Sequence, residues 1–328
     1  MGCLLDSLPH GGRIAIIRLR SLGDCVLTTP ALRLLKQARP DARIGVVVEE
    51  RWAAVFEGNP DVSELLAPRS LRRWAPGLCL NLHGGTRSAS LAATSGARLR
   101  AGFAHFRPSW IYNARIPRAQ QILEVSRKVH TAEHLASAVF FLGVPQSEIP
   151  RACLFAEPQG GAPYAVIHPF GSEPAKTWAA GGFLEMAESL KPRLEPVFIG
   201  GAGEDLSPFA RYRIAQGAPL RKLKSLIAGA SLFLGNDSGP AHMAAAFGVP
   251  AVVLFGASDP EIWGPWRTPS EVVSGPAGIT SIRPEQVMGA LERLSASGEA
   301  PMAPQPPAGS ARMSRGAGAS AAAFATGW

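Results

Sequence analysis

SLFLGNDSGPAHMAAAFGVPAVVLF, running from Ser231 to Phe255, reads as strand, helix, strand. Ser231 to Leu234 is a buried apolar run that ends in small polar residues. Asp237 or Ser238 can cap the helix that follows, and Pro240 suits its first turn. Gly248 ends the helix, and Ala251 to Phe255 is a second apolar strand. A strand that feeds a capped helix and then another strand is a βαβ unit of a parallel sheet. The N–H groups of residues 238–241, with the positive end of the helix dipole, make an anion site. His242 lies one turn into that helix and could reach the same ligand. A well-capped structural helix accounts for the cap and the alanines, but not for a histidine beside Asp-Ser-Gly. The stretch is therefore read as functional.

The same rhythm recurs outward along the chain. Before it, Arg13 to Leu19, Arg43 to Val48 and Leu78 to Leu82 read as strands, with helices over Asp24 to Ala38 and His130 to Leu142. At Glu157 to Pro163 the composition turns to Gly and Pro, which marks a linker. A second series follows, with strands at Tyr164 to His168 and Glu195 to Ile199 and helices at Gly181 to Leu190 and Leu220 to Ala228. A last helix, Arg283 to Leu294, could cross back towards the first domain. Beyond Ser295 the chain is Ala, Gly, Pro and Ser, too poor in large apolar groups to offset its ordering entropy. The expected organisation is an α/β Rossmann-like domain over 1–157, a second over 158–295 and a disordered tail over 296–328.

Other candidate site residues follow predicted strands, where ligands bind in open α/β sheets. Arg20-Ser21-Leu22-Gly23-Asp24 joins the first strand to the first helix. Asp24 there could take a proton from an incoming hydroxyl, although spacing alone favours a helix cap. In His168-Pro169-Phe170-Gly171-Ser172-Glu173-Pro174-Ala175-Lys176-Thr177-Trp178, Gly171 and Ser172 can donate to phosphate. Lys176 can set a charge on a diphosphate, and Trp178 can anchor the loop in the core. Gly200 to Asp205 can line a nucleotide, with Glu204 on a ribose, or be a plain turn. Asn81 to Ser88 can line an acceptor, with His83 nearby and Arg87 reaching an anionic group. Arg69, Arg72, Arg73 and Trp74 read as a solvated loop rather than a membrane contact.

Composition narrows the function. Hydrophobic residues are 46% and charged residues 18% of 328, enough apolar surface for two cores and too few charges for a disordered chain. The net charge of +8 points to an anionic partner. Up to Glu157 there are 20 Lys and Arg against 12 Asp and Glu, and beyond it 13 against 13, so the excess is N-terminal. No zinc-finger spacing or aromatic RNA-binding signature is present, which argues against nucleic acid. A phosphorylated or lipid acceptor fits, and so does a basic surface with no partner. Four scattered cysteines suggest neither zinc nor disulfides and fit a reducing cytoplasm. No signal peptide or spanning run is read. The missing GxGxxG counts against a nicotinamide oxidoreductase.

Four stretches together carry a family likeness: IRLRSLGDCVLTTPALRLLK, NLHGGTRSASLAA, HPFGSEPAKTW and GNDSGPAHMAAAFGVPAVVLFGASDPEIWGP. In order and spacing, from about Arg13 to Leu294, the chain resembles glycosyltransferase family 9, the bacterial ADP-heptose:lipopolysaccharide heptosyltransferases. The resemblance implies a GT-B fold, two Rossmann-like domains whose parallel sheets face each other across a cleft. It implies an inverting transfer of heptose from ADP-heptose to a lipopolysaccharide core, with the first domain on the acceptor and the second on the donor. Carried onto this chain, Asp24 is the general base and Lys176 and Ser172 hold the diphosphate. Asp237, Ser238, Gly239 and His242 bind the donor's phosphates and sugar, with Glu204 beside them. Arg20, Ser21, His83 and Arg87 fall on the acceptor side. No metal or cofactor is required, since Lys176 and the helix terminus can neutralise the leaving group. A monomer working in the cytoplasm, against the inner-membrane face where its anionic glycolipid acceptor lies, is the expected setting. Phe170 departs from the small residue expected there. A related nucleotide sugar as donor, or a binding protein that has lost turnover, are the alternatives.

Overall fold

The computed structural model describes residues 3–296; of the tail expected over 296–328, Ala296 closes the last helix and the rest lies outside the described residues. The first sheet is built from β1 (Arg13–Ile17), β2 (Arg43–Val47), β3 (Glu64–Leu66), β4 (Leu78–Asn81), β5 (Leu99–Phe103) and β6 (Ala114–Ile116). The second is built from β7 (Tyr164–His168), β8 (Glu195–Gly200), β9 (Arg213–Gln216), β10 (Leu232–Asn236), β11 (Ala251–Phe255) and β12 (Ser270–Ser274). Every pairing is parallel. The orders β3-β2-β1-β4-β5-β6 and β9-β8-β7-β10-β11-β12 are one topology used twice. Each is the doubly wound order whose direction reverses once, between β1 and β4 and between β7 and β10.

The helices of the first half are α1 (Leu22–Ala38), α2 (Glu50–Ala53), α3 (Leu71–Trp74), α4 (Gly85–Thr94), α5 (Ala119–Leu123) and α6 (Thr131–Leu142). Those of the second are α7 (Ala180–Leu190), α8 (Leu220–Ala228), α9 (Gly239–Phe247), α10 (Pro260–Trp263) and α11 (Pro284–Ala296). Strands β4, β7, β10 and β11 are buried at every residue, because crossover helices cover both sheet faces. One continuous apolar core runs from the first sheet through α1, α6 and α9 to the second. The domains thus share packing as well as a linker.

Several expectations need correction. Helix α1 begins at Leu22 with Ser21 at the N-cap, so Asp24 is the third helical residue and not the cap. Pro30 sits inside α1 and cannot donate to the Val26 carbonyl; the Thr29 hydroxyl does so instead, at 2.8 Å. Part of the Asn81–Ser88 stretch opens a helix, α4. Helix α11 packs on α7, β11 and β12 and stays with the second domain. Trp74 is buried and donates to Glu64 at 2.8 Å.

Candidate active site

The carboxyl ends of both sheets open on one cleft of about 700 Å³. Its lining holds Ser21 and Asp24 from the first domain. From the second it holds Ser172, Lys176, Glu204, Asp237, Ser238, Gly239 and His242. Each follows a strand at or next to a switch point: β1 on one side, and β7, β8 and β10 on the other. Two expected acceptor residues lie beside the cleft. Half-buried His83 follows β4, while exposed Arg87 pairs with Glu49 at 2.5 Å. Arg20, exposed one residue before the N-cap, also stands off the lining.

Asp24 is held from two directions. The Ser21 hydroxyl donates to its Oδ2 at 2.9 Å, and Arg18 donates to its Oδ1 at 3.2 Å. Arg18 is buried, and its other amino group bonds the Leu82 carbonyl. A buried guanidinium is costly without a counter-charge, and Asp24 supplies one. The carboxylate is thereby fixed with a face towards the cleft, 27% exposed.

Across the cleft, α9 presents its N-terminus. Ser238 occupies the N-cap position but does not cap the helix; its hydroxyl meets Nδ1 of His168 at 3.0 Å. Gly239 and Ala241 keep first-turn N–H groups with no partner inside the helix, whereas Pro240 has none to offer. Asp237 accepts from Ser258 at 2.5 Å and lies 3.7 Å from the Lys176 ammonium. The lysine is therefore poised beside the helix tip by a contact too long to be a tight hydrogen bond. Its loop is latched: the Gly171 N–H bonds Thr177 at 3.1 Å, the Trp178 N–H bonds Asn236 at 3.1 Å, and the buried Trp178 indole donates to Ile282 at 2.9 Å.

His242 is buried and its Nδ1 has no protein partner among the described residues. Burial pushes its pKa below the ordinary histidine value, against the pull of Asp237 and Asp24, so the ring is neutral. Glu204 is held below the usual carboxylate range, first by His168 at 3.8 Å and then by the Gly201 N–H at 2.6 Å. Phe170, Ile199, Ala215, Gly217 and Leu223 form an apolar slot next to it.

Sequence reading missed Arg18, Trp52 and Trp263 as site residues. An arginine ending an apolar strand was the available signal for Arg18, because it must find an acid when buried. Trp52 and Trp263 line the cleft from short helices that have little periodicity.

The arrangement sets a fixed carboxylate against a cation and a helix N-terminus, which suits displacement of a diphosphate by a hydroxyl. Comparison with known proteins agrees. The chain is 27% identical to lipopolysaccharide heptosyltransferase 3 of Escherichia coli, over 76% of this chain and 84% of that one. It shares its fold with a family 9 glycosyltransferase from Veillonella parvula, with a TM-score of 0.78 at 23% identity, covering 87% and 97% of the two chains. It shares it also with E. coli ADP-heptose lipopolysaccharide heptosyltransferase II, with a TM-score of 0.74 at 22% identity, covering 88% and 100%. These matches bear out the GT-B architecture. The profile of glycosyltransferase family 9 (heptosyltransferase) matches residues 67–287, and the chain belongs to that family.

Proposed function

We propose that this glycosyltransferase transfers heptose from ADP-heptose to a hydroxyl of a lipopolysaccharide core, with inversion at the anomeric carbon. The observation that carries the reading is the placement of Asp24 of one domain across a single cleft from Lys176 and the α9 tip of the other. The names of the relatives above supply the donor and acceptor.

In this reaction the acceptor oxygen attacks the anomeric carbon and its proton passes to the Asp24 carboxylate. The bond from that carbon to the diphosphate oxygen breaks on the opposite face, and ADP leaves with the electron pair. Lys176 and the N–H groups of Gly239 and Ala241 meet the charge that grows on the diphosphate, so they favour the transition state over the ground state. His242, neutral and buried, faces the sugar. The nucleoside lies in the slot beside Phe170, with Glu204 accepting from a ribose hydroxyl. Arg20, Ser21, His83 and Arg87 stand on the acceptor side.

No metal enters this scheme. The enzyme works as a monomer in the cytoplasm, at the membrane face where the acceptor resides; no described helix is long and apolar enough to cross a membrane. The test is release of ADP from ADP-heptose on addition of heptose-free lipopolysaccharide, with and without a chelator. Transfer unaffected by the chelator is expected. No release with any such acceptor would refute the substrate reading, and loss on chelation would refute the metal-free scheme.

A further inference from the structure

The basic excess has a specific location. From Leu65 to Leu123 the chain holds nine arginines and neither an aspartate nor a glutamate. Four of them are exposed at the open edge of the first sheet: Arg98 just before β5, Arg107 in the crossover from β5 to β6, Arg115 on β6 and Arg118 just after it. None of the four has an ion pair among the described residues. Trp110 stands on the same crossover with 76% of its surface exposed, the most exposed large apolar side chain among those residues. Its neighbours Ile111 and Tyr112 are buried under α4, which holds the turn and presents the indole outward.

An exposed tryptophan on the same sheet edge as four unpaired arginines combines an amphipathic anchor with positive charge, and both suit the headgroup level of an anionic bilayer. The edge also continues into the acceptor side of the cleft. Phe106 of the crossover packs on Gly84, where an added Cβ would stand 3.0 Å from the ring, and Gly84 follows His83.

We propose that this edge of the first domain docks on the surface of a bilayer rich in anionic phospholipid, with Trp110 among the headgroups and Arg98, Arg107, Arg115 and Arg118 over their phosphates. The proposal rests on the reading of the acceptor as a membrane glycolipid. It would set the first domain on the surface from which that glycolipid projects. The arginine-rich turn at Arg69, Arg72 and Arg73 lacks such an anchor, since Trp74 is buried.

The experiment is flotation of the full chain with vesicles of phosphatidylcholine alone and of phosphatidylcholine mixed with phosphatidylglycerol, at low and high salt. Binding is expected only to the mixed vesicles and should be released by salt. Each basic residue near the surface contributes roughly five-fold. The double variant Arg115→Glu/Arg118→Glu should therefore bind about 25-fold more weakly or worse, with an unchanged melting temperature. Trp110→Phe should lose the blue shift of tryptophan emission seen when the wild type meets the mixed vesicles. ADP release with a deacylated, water-soluble acceptor should be the same in all variants. Equal binding to both vesicle types, or undiminished binding by the double variant, would overturn the docking surface. Binding of a homopolymeric RNA in preference to vesicles, lost in the double variant, would overturn it in favour of nucleic acid. Failure of the wild type to turn over the soluble acceptor would count against the substrate reading alone, because vesicle binding is measured without it.

Discussion

Gly23 and His242 meet across the two domains, and a methyl group added to Gly23 would lie 2.5 Å from Cδ2 of the His242 ring. The same seam brings Leu22 onto Gly239, where an added Cβ would stand 2.7 Å from Leu22 Cδ2. Two glycines thus let the N-terminus of α1 approach that of α9, and this approach sets Asp24 over the anion-binding helix tip.

Replacing Gly23 with alanine should force the domains apart at the cleft. Overpacking of this kind costs about 1–3 kcal/mol. Turnover should fall roughly 100-fold, as expected when a reacting group is displaced by about 1 Å, while the second domain still binds ADP. Small-angle scattering and calorimetry with ADP check the two halves of the prediction. Wild-type turnover in this variant would show that the seam does not set the geometry.

Lys176→Ala removes the cation beside Asp237. Loss of one donor to a developing negative charge costs about 100-fold or more in kcat, and ADP affinity should fall as well. The melting temperature should hardly move, because the loop stays anchored through Trp178 and Thr177. An unchanged kcat would remove Lys176 from the leaving-group site.

The strong central strands were legible in sequence because they are continuous apolar runs: β1, β2, β4, β7, β8, β10 and β11 all sit where such runs were read. The strands not foreseen, β3, β5, β6, β9 and β12, are mixed in polarity. Strand β5 carries Arg100 and Gly102, and Gly102 owes its place to the Tyr112 ring, where an added Cβ would meet Cε1 at 2.6 Å. Such a contact comes from the crossover beyond the strand and leaves no alternating pattern within it. Among site residues, the motifs after β1, β7 and β10 were readable because phosphate chemistry needs small residues and a helix start there. The partnership of Arg18 with Asp24, and of Ser238 with His168, depends on side-chain direction and was not. The same holds for Arg87, whose pairing with Glu49 joins helix α4 to the loop after β2.

Stability should fall in mild acid for a reason tied to the domain seam. Burial lowers the pKa of His130 to about 4, as it does for His134. Nδ1 of His130 accepts from the Ala132 N–H at 3.1 Å, so its Nε2 donates to the Gly264 carbonyl at 2.9 Å. An unfolded histidine takes its proton near pH 6.5. Between about pH 6.5 and 4 the unfolded chain binds protons that the folded chain refuses. Stability should drop by up to about 1.4 kcal/mol per pH unit for each such histidine. Above pH 6.5 neither state is charged and this contribution vanishes. His130→Asn keeps a capping side chain and should be less stable at neutral pH but flatter in this window. Chemical denaturation at a series of pH values checks it, and an unchanged slope would contradict the assignment.

The most direct test of the cleft as an active site is transfer by Asp24→Asn. With ADP-heptose and heptose-free lipopolysaccharide, ADP release should fall about 10²–10⁴-fold, the worth of a general base, while ADP binds with wild-type affinity to a chain that stays folded at the assay temperature, its melting temperature lowered because Arg18 loses its counter-charge. Near wild-type release by the folded variant would mean that the carboxylate facing Lys176 and His242 does not take the proton.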